Sequence, residues 1–232
     1  NIIICCHKEA DFDCIGGAIA MSRIVQAYNK PCCIIAKTGG IEEKLSAVME
    51  SGKVELAARH QFVTENEAIN QYRDDSLVIM VDHHSLKQSN GSQVLERANK
   101  IAIFDHHRRS ADLEVNPTLV YIEAGASSTS ELISEFIPYL SNRIEIDELE
   151  ANIMYAGIII DTNRFKVRTG SRTFEAASML RSLGADPLVV DDYLKDTYSE
   201  FAMKSSIMST CEQYEKGIMI APVENRVISR SI

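Results

Sequence analysis

Leu77-Val78-Ile79-Met80-Val81-Asp82-His83-His84 decides the fold. Five consecutive apolar residues, three of them β-branched, read as a strand buried on both faces. Such strands belong to a parallel sheet with helices on either side. The apolar run ends abruptly in one carboxylate and two imidazoles. The same design returns as Ile101-Ala102-Ile103-Phe104-Asp105-His106-His107. A third version opens the chain, where Ile2–Cys6 runs into His7-x-x-x-Asp11-x-Asp13. In open α/β sheets, sites form outside the carboxyl ends of the strands. Three strands therefore deliver carboxylate and imidazole to one edge. Five of the six histidines lie at these strand ends; His60 stands apart and is given no role.

The segments between the strands read as helices. Cys14, Ala18, Met21, Val25 and Tyr28 form one stripe, with Ile15 and Ile19 beside it, and Asn29-Lys30-Pro31 stops the run. Cys32–Ala36 reads as a strand, Glu42 to Ser51 as a helix, and the polar stretch from Thr64 to Asp75 as helix plus loop. Leu119–Ile122 completes the strands. Leu132, Ile133, Phe136, Ile137 and Leu140 share a helical face that Pro138 ends or kinks. Asp147 caps a helix running to about Ile160, Thr173–Leu183 forms another, and Asp186-Pro187 starts a third. A connector helix is expected over 197–216, and Gly217–Ala221 reads as a new strand. Alternation of this kind predicts an α/β fold, a mainly parallel sheet flanked by helices, followed by the start of a smaller second lobe.

The 232 residues suit one large domain or one domain and part of a second. Apolar residues make up 45% and charged residues 25%, which excludes disordered and collagen-like chains. Acidic residues number 33 against 24 basic, a net charge of −9, so a basic surface for long nucleic acid is not expected. No apolar run approaches the roughly 20 residues of a membrane helix. The chain opens on Asn1 inside an expected strand, which reads as a piece of a longer protein. Six cysteines include two vicinal pairs and no Cys-x-x-Cys, a pattern of free, buried thiols in a reducing compartment.

Carboxylates with a minority of imidazoles suit a fairly hard divalent cation that tolerates nitrogen, such as Mn²⁺. A carboxylate shared by two cations can hold them roughly 3.5–4 Å apart, an arrangement suited to cleaving phosphate esters. Read singly, each residue has a plainer role. Asp11 and Asp13 suit a helix cap, and Asp82 and Asp105 suit ordinary strand exits.

Taken in order, His7-x-x-x-Asp11-x-Asp13, Asp82, Asp105-His106-His107 and Asp161 resemble the DHH phosphoesterase superfamily over roughly residues 2–196. Gly125-Ala126-Ser127-Ser128-Thr129-Ser130-Glu131, Asp161-Thr162-Asn163-Arg164-Phe165 and Arg172-Thr173-Phe174-Glu175-Ala176-Ala177 look like its membrane-anchored cyclic di-AMP phosphodiesterases.

That resemblance implies two divalent cations, with Mn²⁺ expected. His7, Asp11 and Asp82 would hold one. Asp13, Asp82, His106 and Asp161 would hold the other, with Asp82 bridging. His107 would face the scissile phosphate, and Asp105 would orient a neighbouring histidine. His83 or His84 stays open as a further ligand. Ser127, Ser128 and Thr129, ahead of a helix, would offer N–H groups to substrate phosphate, or serve as a simple cap. Arg108 and Arg172, with Arg109 and Arg168 behind them, are candidates for phosphate contact.

The implied reaction is two-metal hydrolysis of cyclic di-AMP to linear 5′-pApA, by a cytoplasmic domain of a cell-membrane protein, with a homodimer left open. Two alternatives stay beside it. One is a nano-RNase or pApA hydrolase of the same superfamily; the other is a non-catalytic nucleotide or haem sensor. The implied domains are a DHH catalytic domain over 1–196, the connector over 197–216 and a partial DHHA1-like lobe over 217–232. No Gly-Gly-Gly-His motif occurs, and Val227–Ser231 resembles a strand from deeper in that lobe.

Overall fold

The computed structural model describes residues 1–109, 113–140 and 144–222. In chain order the elements are β1 (Ile2–Cys5), α1 (Phe12–Ala27), β2 (Cys32–Ile35), α2 (Glu43–Ser51), α3 (Lys53–Arg59), β3 (Phe62–Val63), α4 (Glu65–Gln71), β4 (Leu77–Val81), α5 (Ser92–Arg97), β5 (Lys100–Asp105), β6 (Leu119–Ile122) and α6 (Thr129–Ser134). A 3₁₀ turn (Ile137–Leu140) follows, then α7 (Glu148–Asp161), α8 (Ser171–Ser182), α9 (Pro187–Tyr193), α10 (Tyr198–Ser209), β7 (Glu212–Glu215) and β8 (Ile218–Ile220).

Six strands form one sheet in the order β3-β2-β1-β4-β5-β6, every neighbouring pair parallel. This confirms the α/β expectation. The order reverses between β1 and β4, where Ile4 lies opposite Ile79. Chains leaving these two strands turn to opposite sides and open a crevice, the usual ligand position in doubly wound sheets. Side chains alternate across the sheet. Ile3, Cys5, Cys33, Ile35, Val78, Met80, Ile101 and Ile103 pack with Ala68 of α4 and Val94 and Leu95 of α5. On the other side α1 packs against α6 and α7.

Local chemistry accounts for the helix starts. Asp11, Thr64, Ser128, Asp147 and Thr197 each accept a first-turn N–H at a helix start, and Thr64, Asp147 and Thr197 complete capping boxes with Glu67, Glu150 and Glu200. The helix expected through Leu140 ends earlier, at Ser134. Pro138 lacks the N–H that would bond the Ser134 carbonyl, so the chain tightens into the 3₁₀ turn. The short β3, α3 and α5 were not expected.

Asn1–Tyr193 forms one compact unit and a second begins at Leu194. The connector helix is shorter than expected and stops at Ser209. Residues 212–215 instead pair antiparallel with 218–220, across a turn where Gly217 takes φ +87°. The segment Val227–Ser231 lies outside the described residues. Cys5, Cys6, Cys14 and Cys33 are buried, Cys32 and Cys211 half-buried, and all six thiols are free. Among the described residues no helix is long and apolar enough to cross a membrane.

Candidate metal centre

His7 leaves β1 with its Nδ1 donating to the Lys8 carbonyl at 2.8 Å. A carbonyl only accepts, so Nδ1 carries the hydrogen and Nε2 presents its lone pair. Nε2 lies 3.6 Å from Asp11 Oδ1 and 3.3 Å from Asp82 Oδ2. Asp11 is fixed as the cap of α1, accepting the Cys14 N–H at 3.0 Å.

Asp13 stands in the first turn of α1 and is buried. Its Oδ2 accepts the Thr129 N–H at 2.7 Å and its Oδ1 the Ser130 N–H at 2.8 Å. One carboxylate thus satisfies two orphan donors at the start of α6. Asp82 takes φ +64°, a left-handed conformation rare for a residue with a β-carbon. Such backbone strain gathers at functional sites. Its Oδ1 accepts the Thr129 hydroxyl at 2.8 Å.

His106 follows β5, and its Nε2 sits 3.1 Å from Asp161 Oδ2, 3.5 Å from Asp82 Oδ1 and 3.7 Å from Asp13 Oδ2. Asp161 ends α7, and a left-handed run at Asn163, Arg164 and Phe165 turns the chain away behind it. The two oxygens of Asp82 therefore face different partners. Oδ2 meets His7, beside Asp11, and Oδ1 meets His106, beside Asp13 and Asp161.

Burial, then the charges of Asp82 and Asp161, push the Asp13 carboxyl well above its usual range. Burial also raises Asp82. Burial opposes protonation of His106, but Asp161, Asp13 and Asp82 outweigh it and raise the ring to about 9. The buried Nε2 of His106 has no hydrogen-bond partner among the described residues, although three carboxylates surround it. A nitrogen without a hydrogen bond inside a ring of crowded oxygens fits a divalent cation better than it fits a bare hydrogen-bond network. Three groups of ligand atoms lie close enough to share a cation: His7 with Cys14 and Asp82, Asp82 with His106 and His107, and Asp13 with His106 and Asp161.

Asp105 bonds two of the neighbouring histidines. Its Oδ1 accepts from His107 Nδ1 at 2.8 Å and from the His107 N–H at 3.1 Å, while Oδ2 pairs with His84 Nδ1. Burial would raise Asp105, yet the hydrogen bonds from His107 and His84 hold it well below the usual range. Its hydrogen bond in turn raises His107, which is 54% exposed and so reachable from solvent. His84 is thus engaged by Asp105. His83 donates from Nδ1 to the Val81 carbonyl at 2.8 Å, and burial lowers its ring to about 4.

Ser127, Ser128 and Thr129 are fully buried. Ser127 N–H and hydroxyl go to Glu131, Ser128 Oγ accepts the Glu131 N–H, and both Thr129 donors serve Asp13 and Asp82. The Ser127 and Thr129 donors are thus spent on Glu131, Asp13 and Asp82. Arg172 makes a two-pronged pair with Glu135, at 2.6 and 2.9 Å. Arg108 is exposed one residue beyond His107.

Sequence reasoning missed Cys14 beside the ligands, Thr129 as a support for two carboxylates, and Gly157, on which the approach of α7 depends. Cys14 had one visible signal, its place directly after Asp13. The other two required the packing of α6 and α7 on α1.

A doubly wound sheet with carboxylates and imidazoles gathered at its switch point defines an α/β protein with a candidate metal centre. The DHH family, N-terminal domain, matches residues 1–158, and the chain belongs to that family. Over 221 residues, 95% of its length, it is 37% identical to the cyclic-di-AMP phosphodiesterase GdpP of Bacillus subtilis and 34% identical to the cyclic-di-AMP phosphodiesterase PdeA of Listeria monocytogenes. It spans 34% of the length of each of those relatives. An exopolyphosphatase-related protein from Bacteroides fragilis shares the fold, with a TM-score of 0.72 and 19% identity, over 92% of this chain and 62% of that one.

Proposed function

We propose that this chain is the catalytic part of a manganese-dependent phosphodiesterase that opens cyclic di-AMP to linear 5′-pApA. The observation carrying the reading is the division of Asp82, one oxygen toward His7 and the other toward His106. The substrate rests on the likeness to two cyclic-di-AMP phosphodiesterases over nearly the whole chain. By the same likeness the chain is read as a cytoplasmic part of a longer membrane protein, with a smaller lobe beginning beyond α10.

Asp82, His7 and Asp11 would hold one cation; Asp82, Asp13, His106 and Asp161 would hold the second. When bound, such a pair supplies Lewis-acid stabilisation of phosphoryl charge and acidifies water near neutral pH. Thr129 keeps Asp82 and Asp13 in place through its hydroxyl and N–H. Asp105 fixes His107 through Nδ1 and favours the protonated ring. The exposed imidazolium then gives a proton to the 3′ oxygen as the P–O bond breaks. Arg108, beside it, meets a neighbouring phosphate oxygen.

Incubation with cyclic di-AMP, cyclic di-GMP and pApA under Mn²⁺, followed by product separation, tests the reading. Cyclic di-AMP should be consumed fastest, yielding pApA, and Asp82→Ala should abolish turnover. Equal or faster cleavage of pApA would move the assignment to a linear-dinucleotide hydrolase. Full turnover by manganese-reloaded Asp82→Ala would overturn the site.

A further inference from the structure

Cys14 is the one soft donor in the described centre. Its Sγ, a ring nitrogen of His7 and a carboxylate oxygen of Asp82 all lie within 4.8 Å of one another. The thiol is buried beside Cys6, and two of its hydrogen bonds run to the backbone beside those ligands. Sγ accepts the His7 N–H at 3.4 Å and donates to the Val81 carbonyl at 3.5 Å, one residue before Asp82. The Cys14 N–H meanwhile holds Asp11. One residue therefore links the exits of β1 and β4 to the start of α1, on the His7 side of the centre.

Donor chemistry gives this position a consequence. Mn²⁺ favours oxygen and nitrogen, so it leaves a thiol to its hydrogen bonds. Zn²⁺, Cd²⁺ and Co²⁺ take thiolate readily, and a nitrogen, oxygen and sulfur set is a common zinc environment. We propose that the His7 side of this centre doubles as a soft-metal site, in which a thiophilic divalent cation recruits Cys14 together with His7 and Asp82 and thereby displaces Mn²⁺. The inference rests on the metal reading of His7 and Asp82 given above. In the exchange the Sγ–H bond breaks, its proton passes to solvent, and a sulfur–metal bond replaces the hydrogen bond to Val81. The cation keeps its oxidation state.

The test uses Co²⁺ as the probe, because its visible d–d bands report binding and a near-ultraviolet charge-transfer band reports thiolate ligation. The wild-type protein should show both. Cys14→Ala and Cys14→Ser, checked for folding by circular dichroism, should keep the d–d bands and lose the charge-transfer band. Cys6→Ala and Cys211→Ser should keep both. Competition calorimetry adds a second readout. The Zn²⁺ affinity of Cys14→Ala should fall by more than the about 10–100-fold that follows loss of a group merely supporting a ligand, because a direct ligand is removed. Mn²⁺ affinity should fall much less, whereas a merely structural thiol would weaken both metals alike. Cobalt bound without a charge-transfer band, or a band surviving in both Cys14 variants, would overturn the proposal and leave the metal centre intact. No cobalt binding at all would overturn the centre and the proposal with it.

Discussion

Gly157 of α7 lies against Asp13 of α1 so closely that a β-carbon there would fall 2.7 Å from the Asp13 Cα. It would also lie 2.9 Å from Ser130 Oγ. Asp161 stands four residues further along α7, on the same helical face. The missing side chain thus sets how near Asp161 comes to His106. Gly157→Ala must push α7 outward, because two of its neighbours at that point are backbone and a hydrogen-bonded hydroxyl. The overpacking should cost about 1–3 kcal/mol, despite the higher helix propensity of alanine. Thermal unfolding should show the loss, and calorimetry should show Mn²⁺ binding weakened well beyond what a uniform destabilisation predicts. Unchanged Mn²⁺ affinity would separate the packing from the centre.

Thr129 supports two carboxylates with one residue. Thr129→Val keeps shape, branching and the N–H to Asp13, and removes only the hydroxyl donated to Asp82 Oδ1 at 2.8 Å. Asp82 then loses the contact that fixes one oxygen toward His106 and leaves the other toward His7. Mn²⁺ affinity should fall by about 10–100-fold, as for other groups that hold a metal ligand in place. A titration of Mn²⁺ against activity and against heat release should give the same shift.

Much of this was legible in the sequence. The apolar runs ending in Asp82, Asp105 and His7 gave the parallel sheet and the loaded edge, because strand period and strand exit are local properties. Asp147 read as a helix cap for the same reason, and the structure adds Glu150 as its capping-box partner. Asp161 was different: it ends an apolar helix, and only the family pattern pointed to it. The roles of Thr129 and Gly157 depend on which helices meet α1, and no local pattern encodes that. Ser127–Thr129 carried the right residue types for a phosphate-binding helix start. What the local pattern did not show is that buried Asp13 takes the Thr129 and Ser130 N–H groups of that start.

Asp105 touches two histidines and takes its worth from them. Asp105→Asn keeps the side-chain volume but weakens the hold on His107 Nδ1 and on His84. His107 then loses both its fixed orientation and the interaction that favours its proton. Turnover should fall by about 10²-fold or more, the usual contribution of a positioned acid. Mn²⁺ affinity should change little, because Asp105 lies outside the two ligand sets. A fall in metal affinity equal to the fall in kcat would reassign Asp105 to the metal.

His60, given no role from sequence, belongs to a buried ionic cluster at the far end of α7. Its Nε2 bonds Glu150 Oε1 at 2.7 Å and its Nδ1 meets Ser22 Oγ at 3.0 Å. Arg59 adds a two-pronged contact to Glu150 at 2.9 and 3.0 Å. Burial would raise the Glu150 carboxyl, but His60 and Arg59 outweigh it and hold the group at about 2. A carboxyl depressed in the folded state binds its proton less readily there than in the unfolded chain. Its contribution is therefore complete above the unfolded value of 4.5 and is lost as pH falls through about 2. The linkage amounts to roughly 3 kcal/mol. Glu150→Gln should lower stability near neutral pH, because it leaves Arg59 and His60 short of an acceptor charge in a buried site. It should also flatten the acid side, so that chemical-denaturation curves of variant and wild type converge between pH 4.5 and about 2. Parallel pH–stability curves would show that the Glu150 charge does not hold the start of α7.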